Sequence, residues 1–125
     1  KYLQMKKANY SILKNSRYIS PFNVDHGSYV DSQVPDTYAI FGDQAMETLF
    51  DYIKPELEKA TKLKLVETYA YARIYKKGDV LKKHTDRSAC ELTTTLNLGG
   101  DLWPIILMLN QTVKLKKINM ILDQC

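Results

Sequence analysis

His84 and Asp86, separated by Thr85, are the residues whose types and spacing bear most directly on chemistry. Along an extended backbone the side chains alternate faces, so positions two apart project the same way. An imidazole nitrogen and a carboxylate oxygen would then reach one point, supplying two donors of the 2-His-1-carboxylate arrangement that holds non-haem Fe(II). Taken alone, the tripeptide fits equally a solvated turn in which a histidine neighbours an aspartate. His26, the other histidine, lies in an Asp-His-Gly stretch and is expected at the surface of a loop. Isolated histidines in polar loops seldom ligate anything.

The segments on either side of this pair must position it. Residues 65–76 read as a β-rich run. Tyr69, Tyr71, Arg73 and Tyr75 share one face of it, while Val66, Ala70, Ala72 and Ile74 place smaller groups on the other. A tyrosine face with a single arginine is wet or lines a polar cavity; the alternative is an outer sheet face whose rings pair across strands. Lys77-Gly78-Asp79 is a turn signal, and Val80-Leu81 is a short apolar step into His84. Residues 91–98 read as a strand with Leu92, Thr94, Leu96 and Leu98 on one face, closed by Gly99-Gly100. Trp103-Pro104 opens a further strand, and residues 105–109 form a continuous apolar run suited to burial on both faces. Residues 113–115 and 118–122 complete the strand-like runs. Arg87 either contacts a substrate or pairs with Glu91.

Upstream, Asp43 can cap a helix. Met46, Leu49, Phe50, Ile53, Leu57 and Ala60 then recur at three- and four-residue spacing, giving an apolar stripe for packing against a sheet. Pro55 predicts a kink or break in that helix. Residues 38–41 form a short strand ahead of it. Residues 21–36 are rich in Pro, Gly, Asn, Ser and Asp and read as a long loop, either a lid over a pocket or an irregular surface segment. Residues 1–20 are mixed, with residues 10–13 read as a short strand.

A length of 125 residues suits one domain, 1–125, around one core. Lys and Arg number 18 against 14 Asp and Glu, but the excess is diffuse, so weak steering of an anion is expected and nucleic-acid binding is not. Two cysteines give no disulfide framework, so a reducing, cytoplasmic setting is the simpler expectation. No apolar run is long enough to span a bilayer, and no membrane association is expected. Lys1 opens the sequence where a Met would open a whole chain, so a longer parent chain is expected.

The order of features from Tyr69 to Pro104 resembles the 2-oxoglutarate/Fe(II)-dependent oxygenases, and within them the prolyl 4-hydroxylase-like group. The carrying residues are Arg73-Ile74-Tyr75, the glycine turn at Gly78, His84-Thr85-Asp86 and the Thr-rich run Thr93-Thr94-Thr95. The resemblance implies an α+β, mainly β fold: a double-stranded β-helix (jelly-roll) with a supporting helix in front of it. It implies a dioxygenase hydroxylating a C–H bond of a peptide or of proline, with Fe(II) on His84 and Asp86. It also implies 2-oxoglutarate as cosubstrate, touched by Tyr75 and, from the alternation, Arg73; Arg87 at the substrate; and ascorbate as an accessory reductant. The family's second metal histidine, and the basic residue that grips 2-oxoglutarate, have no counterpart before Cys125. The expectation is a domain lacking its C-terminal strands, with open strand edges through which a dimer could form. A non-catalytic jelly-roll module that binds a partner through its tyrosine face, and a jelly-roll metal enzyme using no 2-oxoglutarate, stay open beside this reading.

Overall fold

The computed structural model describes residues 1–86, 90–101 and 106, and the backbone of residues 123 and 124. Its elements in order are α1 (Tyr2–Asn15), β1 (Tyr38–Phe41), α2 (Gln44–Thr61), β2 (Tyr71–Ile74) and β3 (Asp123–Gln124). β1 and β2 pair antiparallel, with Tyr38 opposite Ile74 and Ile40 opposite Ala72. β3 joins the other edge of β2 in parallel, Arg73 facing Asp123.

The alternation of β1 and β2 gives the sheet two different faces. Tyr38, Ile40, Ala72 and Ile74 pack with Leu3 and Tyr10 of α1 and Met46 of α2, forming the hydrophobic core. Ala39 and Arg73 pair on the opposite face and are also buried. The loop at residues 21–36 runs beside β1 and reaches that face through Asp31 and Gln33, which hydrogen-bond to Arg73. Ser28 exchanges backbone hydrogen bonds with Ala39, and Val34 is fully buried. This stretch has no helix or strand of its own, as its composition predicts; Gly27 and Val34 are buried, while Phe22, Val24 and Val30 are exposed.

The N-terminus departs from the sequence-based expectation. Residues 10–13 belong to a helix, not a strand. No side chain caps the helix at its start, and local signals are weak there. Its stability comes from tertiary contacts. Leu3 and Tyr10 enter the core, Tyr2 Oη donates to Asp43 at 2.9 Å, and Lys6 Nζ lies 3.0 Å from the same carboxylate. Lys14 sits in the last turn, where a cation opposes the negative end of the helix dipole.

α2 follows its sequence pattern closely. Asp43 is the N-cap and accepts hydrogen bonds from the Ala45 and Met46 amides. Met46 and Leu57 are buried, while Leu49, Phe50 and Ile53 are partly so; Ala60 is exposed. The expected break at Pro55 does not occur, and the helix continues to Thr61. Pro55 and Asp51, whose carbonyl loses its amide partner, both lie on the solvent side, so water can take that carbonyl.

Residues 62–70 run back along α2 without joining a sheet, so the β-rich run expected from position 65 is a strand only over Tyr71–Ile74. Helix side chains take the place of a neighbouring strand. Glu58 Oε1 accepts from the Leu65 amide at 2.7 Å, Lys54 pairs with Glu67 at 2.7 Å, and Glu47 Oε1 accepts from the Ala70 amide at 2.8 Å.

Residues 91–98 form no strand ladder. The strands expected at 103–109, 113–115 and 118–122 fall outside the described residues, apart from Ile106. No helix among the described residues is long and apolar enough to cross a membrane.

Candidate functional site

Two groups of side chains carry the chemistry foreseen from the sequence. The first is held by the turn after β2. Asp79 is the hub of that turn: its carboxylate accepts from the Lys76 amide at 2.9 Å, from Lys76 Nζ at 2.6 Å and from Thr37 Oγ1 at 2.6 Å. Lys76 Nζ also donates to the Asp36 carbonyl at 3.0 Å, which ties the turn to the lead-in of β1. Gly78 adopts φ +93°, a conformation that side chains disfavour, and so lets the chain reverse. Burial works against the Asp79 carboxylate, yet Lys76 and Thr37 together hold its pKa below the usual value.

From this turn the chain runs to His84 and Asp86 on an irregular, mostly exposed backbone rather than a strand. His84 Nε2 lies 3.6 Å from Asp86 Oδ1, with the side chains 29% and 50% exposed. His84 Nδ1 stands 2.7 Å from the Lys82 carbonyl. A carbonyl only accepts, so Nδ1–H donates to it, and Nε2 is the nitrogen turned towards Asp86. Metal-ligating histidines are held in this way, with the non-ligating nitrogen donating to a carbonyl or carboxylate. The donor pair therefore suits Fe(II), or another divalent ion that accepts nitrogen and oxygen. Among the described residues, no group of three or more His, Cys, Asp or Glu side chains is placed to hold a metal ion. Arg87 lies outside the described residues. His26, partly buried in its loop, offers its backbone carbonyl to Tyr38 Oη at 2.8 Å.

The second group centres on Arg73, which is 6% exposed. Its guanidinium lies between two tyrosine rings, 5.2 Å from the Tyr71 centroid and 5.4 Å from that of Tyr75. Nη1 donates to Tyr75 Oη at 3.0 Å. Nη2 donates to the Asp31 carboxylate, to Tyr71 Oη at 3.3 Å and to Gln33 Oε1 at 3.4 Å. Tyr71 Oη donates to the same Asp31 oxygen. Burial and that hydrogen bond push the Tyr71 hydroxyl up to about 12. For Asp31 burial acts in the opposite sense to its partners. Tyr71, the Gln33 amide and Arg73 outweigh it and hold the carboxylate below its ordinary pKa.

The structure thus brings Arg73 to Tyr75, and His84 to Asp86. Asp31 and Gln33 are the participants that sequence reasoning missed. A lone charge on a buried strand face demands a counter-charge, but the loop at residues 21–36 offers Asp25, Asp31 and Asp36 without distinguishing among them. Comparisons with protein-family models, with curated proteins and with solved structures each return no match.

Proposed function

We propose that the chain carries part of an Fe(II)- and 2-oxoglutarate-dependent dioxygenase site of the prolyl 4-hydroxylase-like kind, acting on a C–H bond of a peptide or amino acid. The observation that supports this reading is the His84–Asp86 pair, with Nδ1 occupied by the Lys82 carbonyl and Nε2 turned to the carboxylate at 3.6 Å. His84 and Asp86 would hold the ion, which supplies oxygen activation once the 2-oxo acid is bound. The chain's own part is positional. The Lys76–Asp79 turn sets where the ligand segment leaves the sheet, and the Lys82 carbonyl, accepting from Nδ1, orients the imidazole. Tyr75 and Arg73 present hydroxyl and guanidinium donors suited to the carboxylates of the cosubstrate.

Mn(II) binding followed by electron paramagnetic resonance tests the ligand pair. His84→Ala and Asp86→Ala should each weaken Mn(II) binding by at least about tenfold, since each removes a ligand outright. Release of succinate and CO2 from 2-oxoglutarate by the Fe(II)-loaded protein under air tests the reaction. Retention of Mn(II) affinity in both variants removes the site. Metal binding without 2-oxoglutarate turnover favours the alternative, a non-catalytic binding module.

A further inference from the structure

Among the described residues, Arg73 Nε is the buried side-chain polar atom left without a hydrogen-bond partner. The reason lies in its neighbour. Asp31 Oδ1 accepts from the Gln33 backbone amide at 2.8 Å, within its own loop. Only Oδ2 is free to turn to the guanidinium, and it meets Nη2 alone. The contact is therefore one-pointed, although the Nε–Nη2 edge of an arginine is built to take both oxygens of a carboxylate at once. A buried N–H left unmatched is costly, so this edge favours an anion that can bridge it.

We infer that Arg73, Tyr71 and Tyr75 form a seat for a small carboxylic acid, and that Asp31 of the loop at residues 21–36 is its internal, imperfect occupant. An incoming carboxylate spans Nε and Nη2, accepts the Tyr71 hydroxyl that Asp31 now holds, and displaces Asp31 towards solvent. Asp31 is the natural point of exchange. It is the charged partner not carried by the β2 segment, and with Tyr71 it lies on the more exposed side of the cluster. Loop and ligand then compete for one cation, so occupancy of the seat and release of the Asp31 side chain from Arg73 are a single event. The seat stands on the geometry of Arg73. Its tie to a 2-oxo acid rests on the function proposed above.

The test uses the whole chain in the presence of a chelator, so that His84 and Asp86 play no part. Glutarate is the probe, and the Arg73 Nε–Hε signal in a proton–nitrogen correlation spectrum is the readout. Glutarate should move that signal downfield, whereas glutaramide, which has the same length and no charge, should not. Asp31→Asn should bind glutarate at least about tenfold more tightly than the parent chain and regain melting temperature on adding it. Arg73→Lys should abolish binding, because an ammonium lacks the planar fork. An unmoved Nε–Hε signal in both the parent chain and Asp31→Asn overturns the proposal. So does equal or weaker glutarate binding by Asp31→Asn, or an equal shift with glutaramide. If Arg73→Lys fails to fold, the Asp31→Asn titration decides alone. A positive result here with no Mn(II) binding at His84 would keep the seat and discard the oxygenase reading.

Discussion

Gly27 and Gly78 show how one substitution can have two different consequences. Both adopt positive φ, +101° and +93°. A Cβ at Gly27 would stand 2.4 Å from the Tyr38 ring, and that ring is locked by its neighbours Tyr10 and Tyr29 and by the His26 carbonyl. A Cβ at Gly78 meets nothing within 4 Å. Gly78→Ala should therefore cost only the backbone strain, about 1–2 kcal/mol. Gly27→Ala should cost about 2–4 kcal/mol, because overpacking adds to the strain. Urea denaturation of the two variants side by side checks the difference; equal losses would mean that the Tyr38 ring yields. Asp79 makes a second test. Asp79→Asn keeps acceptor capacity but loses the charge paired with Lys76, and should destabilise by about 1–2 kcal/mol. Faster amide hydrogen exchange at residues 76–79 should accompany that loss, reporting a loosened turn.

Asp43 acts between elements. It caps α2 and simultaneously receives Tyr2 and Lys6 from α1, so one carboxylate sets where the two helices meet. Asp43→Ala should cost about 2–4 kcal/mol, from the lost cap and from the α1 groups left unpaired. Asp43→Asn, which retains the cap, should cost about 1 kcal/mol; thermal melts of both variants measure the gap. The same residue explains what the sequence made legible and what it did not. Asp43 followed by Met46, Phe50, Ile53 and Leu57 announces α2 through local chemistry and a helical period. α1 was hidden because what fixes it lies 41 residues away, in the hydroxyl of Tyr2 bound to Asp43, while Tyr10-Ser11-Ile12-Leu13 looks strand-like in isolation. At the candidate site, the tyrosine face with Arg73 was readable from alternation. Its closure by Asp31 was not, since that pairing spans 42 residues and obeys no spacing rule.

For the molecule as a whole, Asp31, Asp43 and Asp79 carry a shared pH signature. Each is partly desolvated, which disfavours its charge, and each is held below its ordinary value of 3.8 by the donors around it. A carboxylate whose pKa falls on folding stabilises the native state above its unfolded pKa. That contribution is lost as the pH drops through the lower, folded value. Melting temperature should therefore be nearly level from neutrality to about pH 5 and should fall steeply below about pH 4. Asp43→Asn and Asp79→Asn combined should flatten the fall, and an unchanged slope in that double variant would mean that other groups govern acid unfolding. The three carboxylates fasten three different junctions: the loop to β2, α1 to α2, and the turn to the lead-in of β1. Acid should thus open these junctions within one narrow interval.

The tethers from Glu58, Lys54 and Glu47 to residues 65, 67 and 70 act as a ruler for the connection into β2. One residue added or removed between Thr61 and Ala70 would shift β2 by a single position against β1, and a shift of one reverses every side chain of a strand. Arg73 would then point into the helices, and Ala72 and Ile74 towards Asp31. Natural variation in the length of this connector should accordingly be far more restricted than variation in its residue types.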